Sequence, residues 1–457
     1  MTAPYTEAPA ACMGNPIPPL PSAFEVPMTT LTSLDSEALN RLHDTVRAEY
    51  EAFKARGLKL DMTRGKPSPE QLDLSNPMLT LPGNGDFFAE GNVDARNYGG
   101  LQGLPETRAL FSQMVQAPAD QIVVGDNSSL ALMHGTIAAA LLKGVPGSKA
   151  PWSDGAPTFL CPVPGYDRHF AICEEFGIRM IPVPMTGQGP DMDAVERLVA
   201  DPAVKGIWCV PKYSNPSGET YSEETSRRLA AMETAAPDFR IMWDNAYSVH
   251  HLTQDHHTVP DILALCAEAG NPDRAFIFAS TSKVTLAGAG LAFFASSPEN
   301  VRWYLERASF RTIGPDKLNQ LRHVRFLKDD AGLERHMAAQ AAIIAPKFEA
   351  LLETLEAKLG GTGAAEWLRP AGGYFVTVDT VEGTAKRIVT LAKEAGIALT
   401  PAGATSPYGR DPHDRTLRLA PTFPSLSDVR AASEGIALCI LLAAIEKQTG
   451  DAPGLSA

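Results

Sequence analysis

The 457-residue chain carries 40 Lys and Arg against 53 Asp and Glu, a formal charge of −13, with 44% hydrophobic and 20% charged residues. That length exceeds one ordinary core and predicts two domains, and the balance is that of a soluble globular protein. An acidic surface disfavours nucleic-acid phosphates as a partner, and no run of 18 apolar residues is present to span a membrane.

In chain order, residues 1–30 are rich in Pro and Ala and read as a flexible arm without the basic start and apolar stretch of a secretory leader. Asp35 or Ser36 then caps a helix in which Leu39, Leu42, Val46, Tyr50 and Phe53 recur at helical spacing, ending near Gly57. LDMTRGKPSP is irregular and turn-rich. From about residue 106, short apolar runs alternate with helical stretches: QIVVG, TFLCPV, RMIPVPM, KGIWCV, RIMWD, AFIFAS and LAFFAS are strand candidates, with LALMHGTIAAALL, YDRHFAICEEFG and EETSRRLAAMETA as helices among them. This alternation predicts an α/β fold with a mostly parallel sheet covered on both faces. After about residue 330 the pattern changes. An amphipathic helix fits 334–359, stopped by the glycines at 360 and 361, and strand GYFVTV, helix TAKRIVTLAKEAG, strand TLRLA and a final helix follow. These read as a smaller α+β domain, formed by 31–75 with 331–457, beside a large domain over 76–330.

Six cysteines stand at 12, 161, 173, 209, 266 and 439 with no CxxC pair or histidine cluster. They read as reduced thiols of a cytoplasmic protein, and no metal is expected.

Five short segments carry polar residues where apolar runs end. In FASTSKVTLAGAG, Lys283 follows a strand directly, at the carboxyl end where open α/β sheets bind ligands, and Ser280 and Ser282 beside it are suited to a phosphate. In WDNAY, Asp244 ends an apolar strand, a costly place for a carboxylate unless it meets a cation; capping the next turn is the other reading. Tyr247 lies three residues on. PKYSNPSGE is an ordinary turn signal, but Asn215 within it has an amide to offer a ligand. GDNSSLALMH places Ser128 and Ser129 at a helix start, where backbone N–H groups cradle anions; it is neither a Walker A loop nor GxGxxG. In RTLRLAPT, Arg418 interrupts an apolar strand and needs an anion, either a ligand carboxylate or a structural ion-pair partner.

The ordered set Tyr98, Ser128-Ser129, Tyr166, Asn215-Pro, Asp244-x-x-Tyr247, Ser280-x-x-Lys283 and Arg418 resembles the class I, fold-type-I aminotransferases that use pyridoxal 5′-phosphate. RGKPSPE, NYGGLQGL, GDNSSLALMH and IGPDKLNQLRHVRF are similar to a bacterial aspartate aminotransferase subgroup related to the effector domains of MocR-type regulators. The resemblance implies a seven-stranded, mostly parallel sheet in the large domain and a homodimer with shared active sites. It implies that Lys283 forms the Schiff base and moves the proton at the substrate Cα. Asp244, supported by His169, pairs with the pyridinium nitrogen; Tyr247 and Asn215 hold the phenolic oxygen; Tyr166 stacks on the ring. Ser128, Ser129, Ser280 and Ser282 are phosphate ligands, Tyr98 reaches the phosphate of the neighbouring subunit, and Gly65 and Arg418 take the substrate carboxylate. One departure stands out: the phosphate-binding Arg usual eight residues after the lysine is replaced by Leu291.

The implied reaction is transfer of the amino group of an acidic amino acid, aspartate first, to 2-oxoglutarate. Broader, aromatic or aliphatic specificity and a non-catalytic sensor are the alternatives. A dicarboxylic substrate needs a second cation. The basic segment 311–326 reads either as a solvated helix face or as the source of that cation, Lys317 or Arg322 reaching in from the other subunit, with Arg64 a third candidate.

Overall fold

The computed structural model describes residues 30–125 and 127–450; the arm expected over residues 1–30 lies outside them but for Thr30. Seven strands form one sheet: β1 (Ile122–Val124), β2 (Thr158–Val163), β3 (Arg179–Pro184), β4 (Val204–Cys209), β5 (Arg240–Asp244), β6 (Ala275–Ser280) and β7 (Ala292–Ala295). Their spatial order is β1-β7-β6-β5-β4-β2-β3. Only β7 runs against its neighbours β1 and β6; the remaining pairs are parallel.

The uninterrupted apolar runs follow from burial on both faces. Phe159, Trp208, Met242 and Phe276 point to one side, against Ile137 of the helix Ser129–Lys143, Phe170 of Asp167–Glu175 and Tyr304 of Pro298–Ala308. Leu160, Ile207, Ile241 and Ile277 point to the other, against Val195, Leu229 and Ile262 of three further helices. Strand candidates from RMIPVPM to LAFFAS all fall on strands of this sheet.

A separate core joins Leu39, Val46 and Phe53 of the first helix, Ser36–Ala55, to Val376, Val378, Leu417 and Leu419 of a three-stranded sheet and to the last helix, Leu426–Thr449. Asp35, not Ser36, is the cap of the first helix, accepting from Ala38 N at 2.8 Å. The 30-residue helix Asp330–Leu359 serves both cores: Leu333 and Met337 lie with the large sheet, Phe348, Leu352 and Leu355 with the smaller one.

Two expectations need correction. LDMTRGKPSP is not wholly irregular: Leu60–Asp61 pairs in parallel with Ile397–Ala398, and Ser68 opens a short helix with a capping box. Nor is the basic segment 311–326 a solvated face. Its helix, Lys317–Leu327, buries Lys317, Gln320, Leu321 and His323, because it packs beneath the loop that follows β6. Among the described residues no helix is long and apolar enough to cross a membrane.

Candidate active site

The parallel strands end on one side of the sheet, and a cavity of about 200 Å³ opens there. Ser128, Ser129, Tyr166, Asn215, Asp244, Tyr247, Ser280, Ser282 and Lys283 all border it, together with Leu130, Val210 and Ala246. Nine residues singled out from five separated segments thus meet in one place. The reason is topological: each lies at or past the carboxyl end of one of the parallel strands β1, β2, β4, β5 and β6, which share one sheet.

Lys283 is held in a turn whose Val284 N–H donates to the Thr281 carbonyl at 2.9 Å. Its ammonium lies 5.0 Å from the centre of the Tyr247 ring and 6.0 Å from that of Tyr374. Burial lowers its pKa below the usual lysine range, opposed by the charge of Asp244. A lysine so placed gives up its proton more readily, which a nucleophile and base requires. Tyr247 is buried as well, and that burial drives its phenol pKa upward.

Asp244 is 2% exposed. Its Oδ2 lies 3.0 Å from His169 Nε2, and the His169 ring stacks on Trp208 with centroids 4.3 Å apart. Its Oδ1 is buried with no hydrogen-bond partner, and so is the Oδ1 of Asn215. A buried carboxylate oxygen left unsatisfied carries a large desolvation cost, so the site is built to receive a donor there. A protonated ring nitrogen is such a donor.

Elsewhere in the lining, Ser280 Oγ donates to Ser282 Oγ at 3.1 Å, and Ser282 Oγ lies 3.4 Å from the Asn127 carbonyl. Ser128 takes the N-cap position of the 15-residue helix Ser129–Lys143, yet its side chain makes no capping bond. The Ala131 and Leu132 N–H groups donate to the Ser128 carbonyl at 3.1 and 3.3 Å, so an anion at this helix start would be met by the N–H groups ahead of them. Leu291 has no part in this lining. Its side chain is 2% exposed and packs in the core on one face of the sheet, while its N–H donates to Thr281 Oγ1 at 2.8 Å. At Gly290 beside it, a Cβ would lie 3.0 Å from Thr281 Oγ1, tighter than an ordinary contact. The departure at 291 is thus matched by packing that leaves the hydroxyls and the helix start as the polar groups of this part of the lining.

The remaining predicted residues stand apart from the cavity lining. Arg418, on the strand Thr416–Leu419, donates from Nη1 to Asp167 Oδ1 at 2.9 Å and reaches Thr400 Oγ1 at 3.5 Å, with Nε buried and unpartnered. Its guanidinium lies 5.1 Å from the Phe375 ring centre. Gly65 abuts the same ring, where a Cβ would come within 2.1 Å. Phe375 therefore brings Gly65 and Arg418 to one spot, and only glycine fits. Tyr98 is 79% exposed. Lys317 Nζ donates to the Gly99 carbonyl at 2.8 Å, and Arg322 donates from Nε to the Leu81 carbonyl at 2.8 Å and from Nη1 to Asn319 Oδ1 at 3.4 Å. Arg64 is exposed and lies 3.4 Å from Asp61.

Sequence reasoning missed a layer beneath Lys283. His250 Nε2 lies 3.2 Å from the Lys283 carbonyl, the Tyr374 hydroxyl 3.4 Å from it, and burial lowers the His250 pKa to about 3. It also missed His323, whose Nε2 lies 3.2 Å from Thr281 Oγ1 and 2.9 Å from Thr285 Oγ1 on either side of the lysine. No signal in a single sequence marks these, since each acts through a fold contact rather than a motif.

Comparison with known proteins agrees with this geometry. A protein of Mycolicibacterium smegmatis is 54% identical over 424 residues, spanning 92% of this chain and 99% of its own. The aspartate aminotransferase of Corynebacterium glutamicum is 50% identical over 418 residues, 91% of this chain and 97% of its own. The crystal structure of an aspartate transaminase from C. glutamicum superposes with a TM-score of 0.90 at 50% identity, covering 92% of this chain and 99% of that one. The family model described as aspartate amino-transferase matches residues 34–452, and with relatives this similar over nearly its whole length the chain belongs to that family and is an aminotransferase.

Proposed function

We propose that the chain transfers the amino group of an acidic amino acid, aspartate, to 2-oxoglutarate, using pyridoxal 5′-phosphate held at Lys283. One observation carries this reading: a buried lysine with a lowered pKa shares a cavity with a buried carboxylate oxygen that lacks a partner. When bound, the cofactor supplies a cationic conjugated ring that draws electron density from the substrate Cα. Asp244 keeps the ring nitrogen protonated, and His169 holds Asp244 in place. Tyr247 and Asn215 donate to the phenolic oxygen, and Tyr166 covers one face. Ser128, Ser129, Ser280 and Ser282, with the N–H groups at the helix start, hold the phosphate. Lys283, once displaced by the substrate amine, moves the proton at Cα. Arg418 and the Gly65 backbone take the α-carboxylate.

The name of the C. glutamicum relative supports aspartate as donor. The test is a donor screen with 2-oxoglutarate as acceptor: aspartate should give the highest kcat/KM, and a preference for aromatic or aliphatic donors would overturn the specificity. A cofactor absorbance that shifts with aspartate and does not revert with 2-oxoglutarate would overturn 2-oxoglutarate as the acceptor.

The two separate hydrophobic cores support a small domain over 31–75 and 331–457 and a large one over 76–330. A homodimer is the proposed assembly. Tyr98, Phe310 and Ile313 are 79%, 82% and 66% exposed, an unusual display of large apolar groups that a second copy would cover. Tyr98 would then reach the phosphate of the other subunit, and Lys317 or Arg322 from that subunit would meet the distal carboxylate. Residence in the cytoplasm is supported by the described cysteines, all free and buried.

A further inference from the structure

Arg418 does not wait bare for its ligand. The 2.9 Å pair with Asp167 joins a strand of the three-stranded sheet to the first residue of the helix Asp167–Glu175, immediately after Tyr166 at the cavity wall. The Arg418 side chain is 9% exposed and that of Asp167 37%, so the guanidinium is enclosed while the carboxylate has a way out toward solvent. The contact consumes Nη1; Nη2 has only a 3.5 Å approach from Thr400 Oγ1, and Nε has no partner. A carboxylate that takes both terminal nitrogens must displace Asp167, and one that takes Nη2, alone or together with the buried Nε, must lie beside its negative charge.

We propose that Asp167 sets the affinity threshold for carboxylates at this site by competing with the substrate α-carboxylate for Arg418. The inference rests on the reading of Arg418 as the α-carboxylate site. Without Asp167, Arg418 would be an enclosed cation with no counter-ion, attractive to any small carboxylate or inorganic anion. With Asp167 in place, a lone carboxylate gains little by exchanging one anion for another. A true substrate has further contacts, through its amino or oxo carbon and its second carboxylate, and these drive the exchange. Asp167 therefore lowers affinity for every carboxylate by a similar factor, which leaves a fragment held through Arg418 alone too weakly bound to occupy the site while a substrate with further contacts still does.

The test uses the holoenzyme and two unreactive probes, succinate and acetate, titrated by calorimetry and by cofactor absorbance. Asp167→Asn keeps the side-chain shape and removes the charge. It should bind both probes about tenfold or more tightly, as expected when a charge a few ångströms from the binding cation is removed, and its KM for amino donors should fall by more than its kcat changes. Asp167→Glu, which restores the charge at the helix start, should return acetate affinity toward that of the wild type. Unchanged or weaker probe binding in Asp167→Asn, with thermal stability preserved, overturns the proposal and leaves Asp167 as a positioning partner of Arg418. Arg418→Leu separates this from failure of the underlying reading: if it leaves succinate binding intact, Arg418 is not the carboxylate site at all, whereas loss of succinate binding there with no gain in Asp167→Asn defeats only the competition.

Discussion

The two ends of the proposed site are built on different principles. Where the ring nitrogen would lie, Asp244 and Lys283 sit at or just past the ends of β5 and β6, both are enclosed, and each is braced by a second buried group: His169 under Asp244, His250 and Tyr374 under the Lys283 carbonyl. Where the substrate carboxylates would lie, the groups come from outside that sheet. Gly65 follows a two-residue strand, Arg418 sits on the smaller sheet, and Lys317 reaches the Gly99 carbonyl in a loop beside an exposed apolar surface. Chemistry common to many amino acids calls for a fixed, desolvated frame, because preorganised charges are worth most where they need not move. Choice of substrate can be carried by elements that shift, and the Arg418–Asp167 pair, spanning the two sheets, is where the two ends touch.

Substitutions sharpen this contrast. The largest effect is expected from Lys283→Ala, which should abolish covalent attachment of the cofactor and nearly all turnover; borohydride reduction and peptide mapping check it, and a reduced adduct on another lysine would refute the assignment. Asp244→Ala should lower kcat by about 10²-fold or more, the usual consequence of removing one preorganised electrostatic partner, while Lys283 still takes up the cofactor. Near-normal kcat would show that the unpaired Oδ1 has no part in the reaction. His169→Phe should cost less, roughly tenfold or more for a hydrogen bond to a charged group.

At the other end, the variants should act on KM and on selectivity instead. Loss of the distal cation, by Lys317→Ala or Arg322→Ala, should raise the KM for aspartate by roughly 10²-fold, the scale of a lost charged hydrogen bond, with little effect on alanine. If neither variant changes the aspartate-to-alanine preference in steady-state kinetics, the placement of that cation is wrong.

The smallest effect distinguishes the buried frame by its proton uptake. His250 and His323 are held neutral by burial, at about 3 and about 4, whereas an unfolded histidine titrates near ~6.5. Between those values the unfolded chain binds more protons than the folded one, so stability rises with pH and is lost as pH falls below ~6.5. In urea unfolding of the apoprotein from pH 4 to 7, His250→Asn should reduce that slope by up to one proton, ~1.4 kcal/mol per pH unit. An unchanged slope would mean that His250 is solvated and not part of a desolvated frame.

How much of this could be read in the sequence depends on whether local pattern or packing decides. The seven strands were legible because strands buried on both faces leave uninterrupted apolar runs, and the polar residue that ends such a run (Asp244 after RIMW, Ser280 after AFIFA) marks a carboxyl end of the sheet. That is why nine residues named from five segments border one cavity. What lay beyond reading were contacts between segments with no shared period. Charge content left open whether the basic helix Lys317–Leu327 is a solvated face, because it does not say which face a neighbour covers; packing turned Lys317 and His323 inward. Phe375 stands against both Gly65 and Arg418 only because a strand of the smaller sheet starts beside it. Asp167 and Arg418 are 251 positions apart, and either could have paired elsewhere. The order of apolar and polar residues along the chain determined the elements and which end of each strand bears chemistry. Which buried charge faces which was decided by tertiary structure alone, because a salt bridge is specified by distance in space, and one chain's sequence records that distance nowhere.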